Sequence, residues 1–177
     1  LIKKNLTELI DNNIFLLKKK FFFNQFQKYN YIESFKVIKE FPSKLIIHLE
    51  PTNIIASTYM DKKKYYLGSN GKLIEENSFK KQTKTLPNIF GNFTPNEFIN
   101  LFNEMEKKGL NYNDYESFFY FRSGRWDIMS KNNILIKLPK ENLGQSLSIV
   151  KKILSNNNIL YNSIDLRIPN QLILTNV

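Results

Sequence analysis

Residues 163–176 read SIDLRIPNQLILTN. Ile164, Leu166 and Ile168 alternate with Ser163, Asp165 and Arg167, which is the period of a β-strand with two unlike faces. The apolar set is expected to pack on helices of its own domain. Asp165 and Arg167 share the other face, either pairing there or serving a binding role. Pro169 and Asn170 then predict a tight turn, because Pro presets φ and Asn tolerates left-handed backbone. The return run QLILT predicts a second strand, with Leu172 and Leu174 on one face and Ile173 on the other. A strand apolar on both faces needs cover on both. At a sheet margin its free N–H and C=O groups also need a partner. The run is therefore either an interior strand covered by its own domain or an edge that receives a strand from another chain.

Working back toward the N-terminus, LGQSLSIVKKIL (143–154) puts Leu143, Leu147, Val150 and Leu154 on one helical face. Before it, SFFYF, RWDIM and ILIKLP predict strands, with SKNN as a turn. The clearest helix is TPNEFINLFNEMEKKG (94–109). Thr94 suits the N-cap, Pro95 the first helical position and Glu97 the capping box. Phe98, Leu101, Phe102 and Met105 form its apolar stripe. Lys107 and Lys108 suit its carbonyl end and Gly109 the position just beyond.

The first part of the chain predicts helix, helix, strand, strand, hairpin. Leu6, Leu9 and Ile10 have helical spacing, and Phe22, Phe23 and Phe26 form a second helical stripe with lysines opposite. Strands follow over IESFKVIKEF and SKLIIHLEP, separated at Pro42–Ser43. KYYLGSNGKLIEE predicts a hairpin turning at Asn70–Gly71. The polar stretch EENSFKKQTKT reads as a linker or a solvated strand, which puts the domain boundary at 1–75 and 76–177. No internal repeat is present.

Composition narrows the function. With 42% hydrophobic residues the chain supports a packed core rather than disorder. No apolar run of about 18 residues is present, and the first residues do not have the form of a signal peptide. The chain does not begin with Met, so it reads as a fragment with room for an upstream anchor. The formal charge is +10, mostly from lysine. A basic face suits nucleic acid or anionic lipid. Lysines scattered among abundant Asn, Ile, Phe and Tyr instead suit a codon bias toward A and T. KKKFFFNQFQKYNY interleaves aromatics with lysines as a single-strand platform does, but helical spacing assigns the phenylalanines to a core.

There is no cysteine and one histidine, His48, on the strand face opposite Leu45, Ile47 and Leu49. That excludes disulfides, thiolate metal sites and Cys–His nucleophiles. No phosphate-binding glycine loop or nucleophile elbow appears. The reading is a non-enzymatic chain with no catalytic residue, cofactor or metal.

The order of these segments resembles the extracytoplasmic part of the FtsQ/DivIB family of bacterial cell-division proteins. IESFKVIKEFPSKLIIHLEP resembles the end of a POTRA domain, and YLGSNGKLI the hairpin that closes it. LPNIFG resembles the lead into the family's second, β domain. RWDI, ILIKLP and SIDLRIPNQLIL resemble segments of the alphaproteobacterial branch. The resemblance runs through essentially the whole chain in order. It departs at Asn53, where the family often has Pro, at Gly124, where bulkier residues are usual, and at the start, where the first POTRA strand is not seen.

The resemblance implies an α+β fold: a POTRA-like domain of two helices on a small sheet, then a mostly antiparallel β domain with two helices packed on it. It implies a bridging protein at the division septum, held in the inner membrane by a single upstream helix, with these residues in the periplasm. The β domain would bind FtsB- and FtsL-like proteins, and the POTRA-like domain FtsK-like and other divisome membrane proteins. Nucleic acid is not an expected partner. The expected partner-contacting residues are Arg125, Trp126, Arg167, Ile168, Asn170, Leu172, Ile173, Leu174 and Thr175. Two alternatives remain open at this point: a POTRA-containing outer-membrane assembly or secretion component, and a basic nucleic-acid-binding domain.

Overall fold

The computed structural model describes residues 13–78, 85–156 and 161–176. The helix expected over 5–10 lies outside the described residues, as does much of the expected linker. The chain divides into two units, 1–53 and 54–177.

In the first unit, α1 (Lys19–Phe26) covers one face of a two-stranded antiparallel sheet, β1 (Ile32–Glu40) and β2 (Lys44–Pro51). Phe22, Phe26 and Ile32 are its buried centre, with Phe35, Val37, Leu45, Ile47 and Leu49 packed around them. The alternation in both strands thus selects one face, as expected. Phe23 departs from the expected stripe: it is exposed, because the short helix turns only Phe22 and Phe26, four residues apart, onto the sheet.

The second unit is one nine-stranded sheet. Its strands are β3 (Ile54–Met60), β4 (Lys63–Gly68), β5 (Leu73–Glu75), β6 (Asn88–Phe90), β7 (Tyr115–Tyr120), β8 (Trp126–Ser130), β9 (Leu135–Lys137), β10 (Tyr161–Asp165) and β11 (Ile173–Asn176). Their spatial order is β11-β10-β9-β8-β7-β6-β3-β4-β5. Five neighbouring pairs are antiparallel and three parallel. A parallel pair needs a long crossover. Helix α2 (Pro95–Lys107) supplies it between β6 and β7, and α3 (Leu143–Leu154) between β9 and β10.

The boundary expected at 75/76 moves to 53/54. The run IIASTYM, which the turn-based reading passed over, forms β3, and β3 pairs with both β4 and β6. The hairpin expected to close the first domain therefore belongs to the second sheet. Its turn is as expected, with Gly71 at φ +72°.

The helices sit on one face of the large sheet. The register aligns Ile89, Phe118, Ile128, Ile136, Ile164 and Leu174 in one row across six strands. Phe98, Leu101 and Met105 of α2 and Leu147 and Val150 of α3 pack into the same core. Thr94 and Glu97 form the expected capping box, and Gly109 follows at φ +66°. Gly124, the departure noted above, stands at φ +80° in the β7–β8 turn, where its N–H reaches the Phe121 carbonyl. A bulkier residue suits that backbone poorly.

Candidate partner-docking edge

The strand β11 ends the sheet. It pairs with β10 on one side, and no described strand pairs with its other side. The register sets Leu174 opposite Ile164 and Ile173 opposite Asp165. Leu174 consequently packs on the core and anchors the strand. Ile173 points to the helix-free face and is 46% exposed. Thr175 is exposed too and meets Ser163 through a hydroxyl–hydroxyl bond of 3.1 Å.

The two closing strands do not run into their turn. β10 stops at Asp165, whose carboxylate accepts from the Arg167 backbone N–H at 3.0 Å. This Asx-type turn bends the chain off the sheet. Ile168, expected to continue the buried face of Ile164 and Leu166, is therefore exposed. The Pro169–Asn170 turn does form, inside a loop over 166–172. Gln171 N–H donates to the Ile168 carbonyl, and Asn170 has φ +60°. Pro followed by a positive-φ residue is the type II pattern. Leu172 lies just before β11 and is exposed. Ile168 and Leu172 border a depression of about 340 Å³ against Ile149 of α3.

On the helix-free face a second register row reads Phe90, Phe119, Asp127, Lys137, Asp165, Ile173. Its charges alternate, and each carboxylate has an arginine two residues away. Arg125 Nη1 lies 2.6 Å from Asp127, and its guanidinium covers the Phe121 ring at 3.9 Å. Arg167 grips Asp165 with Nε at 2.9 and Nη2 at 2.6 Å. That grip holds the Asp165 carboxyl below the usual carboxylate range. Burial pushes Asp127 up and outweighs the pull of Arg125. The row thus carries an ordered charge pattern that leads to the edge strand.

Trp126 does not belong with these residues. It is 4% exposed and packs against Phe93, Phe98 and Tyr120 on the helix side. Strand alternation explains this: Asp127 lies on the helix-free face, so Trp126 must face the helices. Of the other expected contacts, Ile168, Asn170, Leu172, Ile173 and Thr175 gather at the C-terminal margin, and Arg167 sits beside them. Leu174 supports them from the core, and Arg125 stands at the far end of the charged row. Lys137 and Ile149 were not expected. Only strand register brings Lys137 between two carboxylates, and no local sequence signal gives that register.

The family model for cell division protein FtsQ/DivIB, C-terminal, matches residues 58–167, well over half of the chain. No curated protein is significantly similar to it. Among solved structures, the chain is similar to the major extracytoplasmic domain of the trans isomer of the bacterial cell division protein DivIB from Geobacillus stearothermophilus. The identity is 16% and the TM-score 0.40, covering 61% of this chain and 98% of that one. The assignment rests on the family match, whose limits include β7 to β10 and both helices of the second unit: the chain belongs to the FtsQ/DivIB family of bacterial cell-division proteins.

Proposed function

We propose that this chain is a non-catalytic scaffold of the division machinery that takes up a partner by strand addition along β11. FtsB/FtsL-type proteins are the partners at the sheet, and FtsK-like and other divisome membrane proteins those of the first unit. In this reading an upstream single-pass helix holds the protein in the inner membrane, and the residues described here lie in the periplasm at the septum. The observation that carries the reading is the position of β11: last in the sheet, with Ile173 exposed upon it. An added strand would complete its open hydrogen-bonding side. The apolar side chains flanking that strand would cover Ile173 on one face and seat between Ile168 and Leu172 on the other. The opposite margin, β5, has three residues and exposes Glu75, which suits it less to apolar pairing.

Ile173→Pro removes one backbone N–H from β11 and opposes a continuous ladder. In a pull-down with an FtsB-type partner, capture is expected to fall by about tenfold or more for loss of an interfacial ladder position. Far-ultraviolet circular dichroism should remain that of the wild type. Wild-type capture by a folded Ile173→Pro variant would overturn the reading.

A further inference from the structure

The first unit has its own unmatched surface. Phe22, Phe35 and Val37 floor a groove of about 630 Å³ between α1 and β1. Lys18, Lys19, Lys36 and Lys39 line it, and no carboxylate does. Lys39 Nζ donates to the Leu17 carbonyl at 2.5 Å, which ties β1 to the segment before α1. At the lip, Phe15 stacks on Phe41 with ring centroids 4.5 Å apart. Phe15 is 63%, Phe41 59% and Leu16 76% exposed. Residues 13–53 carry seven lysines against three glutamates.

An occupant must be apolar and anionic within a few ångströms. An acidic peptide meets the lysines but leaves the protruding Phe15, Leu16 and Phe41 side chains in water. A lipid surface meets both demands. Aromatic and leucine side chains gain by entering the acyl boundary, and lysine stems lie along it with their ammonium groups at the phosphates. Side chains that project beyond a groove suit a soft phase better than a rigid complementary surface.

We infer that this face of the first unit docks on an anionic phospholipid surface. Phe15, Leu16 and Phe41 enter the acyl boundary, and Lys18, Lys19, Lys36 and Lys39 contact the headgroup phosphates. The inference uses no residue of β11 and stands apart from strand addition there.

The test is co-sedimentation of the full chain with phosphatidylglycerol-containing vesicles and with pure phosphatidylcholine vesicles. Binding is expected to the first and not to the second. F15S/F41S changes only exposed side chains, and K18Q/K19Q/K36Q/K39Q removes the cationic lip. Each variant is expected to weaken partitioning by about tenfold or more. K62Q/K63Q/K131Q/K152Q removes the same charge from exposed sites in the second unit and should stay within about twofold of wild type. In Phe15→Trp, brominated lipid should quench the new indole fluorescence, because that indole would sit at acyl depth.

No binding to the anionic vesicles would overturn the inference. So would equal loss in the matched control, which would indicate net charge alone, or wild-type binding by F15S/F41S. Retention of polyglutamate without vesicle binding would overturn it in favour of an acidic peptide.

Discussion

At the residue scale, Gly91 shows how little freedom parts of this fold allow. It stands at φ +105° just after β6, and a Cβ added there would lie 2.2 Å from the Tyr120 carbonyl oxygen. Neither the backbone conformation nor the space admits a side chain. Gly91→Ala is expected to cost about 3 kcal/mol, the sum of positive-φ strain and a backbone clash, read from a urea unfolding midpoint. The LPNIFG motif made this glycine visible in the sequence without giving the reason for it. The converse case is Trp126, whose motif suggested a contact surface and whose strand parity places it in the core. Parity follows from the sequence only once one residue of the strand has been assigned a side. Here the sign of the whole strand depended on whether Arg125 or Trp126 faced the helices.

At the scale of elements, α2 was the most legible because its signals are local. Cap, first-turn Pro, apolar stripe and terminal Gly all lie within one stretch of sequence, and each takes its expected place. Thr94→Ala is expected to destabilise the protein by about 1 kcal/mol, again by urea unfolding, through loss of the N-cap acceptor. Glu97 adds a link that no local pattern announces. Its carboxylate accepts from the Tyr120 hydroxyl at the end of β7 as well as from the cap. The Tyr120 bond, followed by the cap, holds Glu97 below its usual value of 4.5. A depressed carboxyl pKa contributes stability that is fully present above the unfolded value and is lost as pH falls through the folded one. Tyr120→Phe should therefore reduce stability at neutral pH, and the difference from wild type should shrink below about pH 4.5. A constant difference across that range would show that Glu97 is not the partner that matters. The closing strands were legible as elements but not in extent. The alternation of SIDLRI continues through Ile168, whereas the Asp165 carboxylate captures the Arg167 N–H and ends β10 first.

At the scale of the whole molecule, the two units were legible but their boundary was not. Polarity and turn residues made the stretch after Glu75 look like a linker. The sheet is instead continued through β3, which packs Ile55 and Ala56 into the core and pairs β4 with β6. Residues 54–177 expressed alone are therefore expected to unfold cooperatively. Residues 76–177 should not, because that cut removes three strands and the buried side chains Ile55, Leu67 and Ile74. A cooperative transition for the shorter piece would contradict this boundary. The sheet's long order also explains why a site at its C-terminal margin is hard to read from sequence. Asp127, Lys137 and Asp165 come from three strands, and only register sets them in line with Ile173. Whether that margin receives a partner strand can be read from amide hydrogen exchange. With an FtsB-type partner bound, the amides of residues 173–176 are expected to slow markedly; unchanged exchange across β11 in a verified complex would contradict the account.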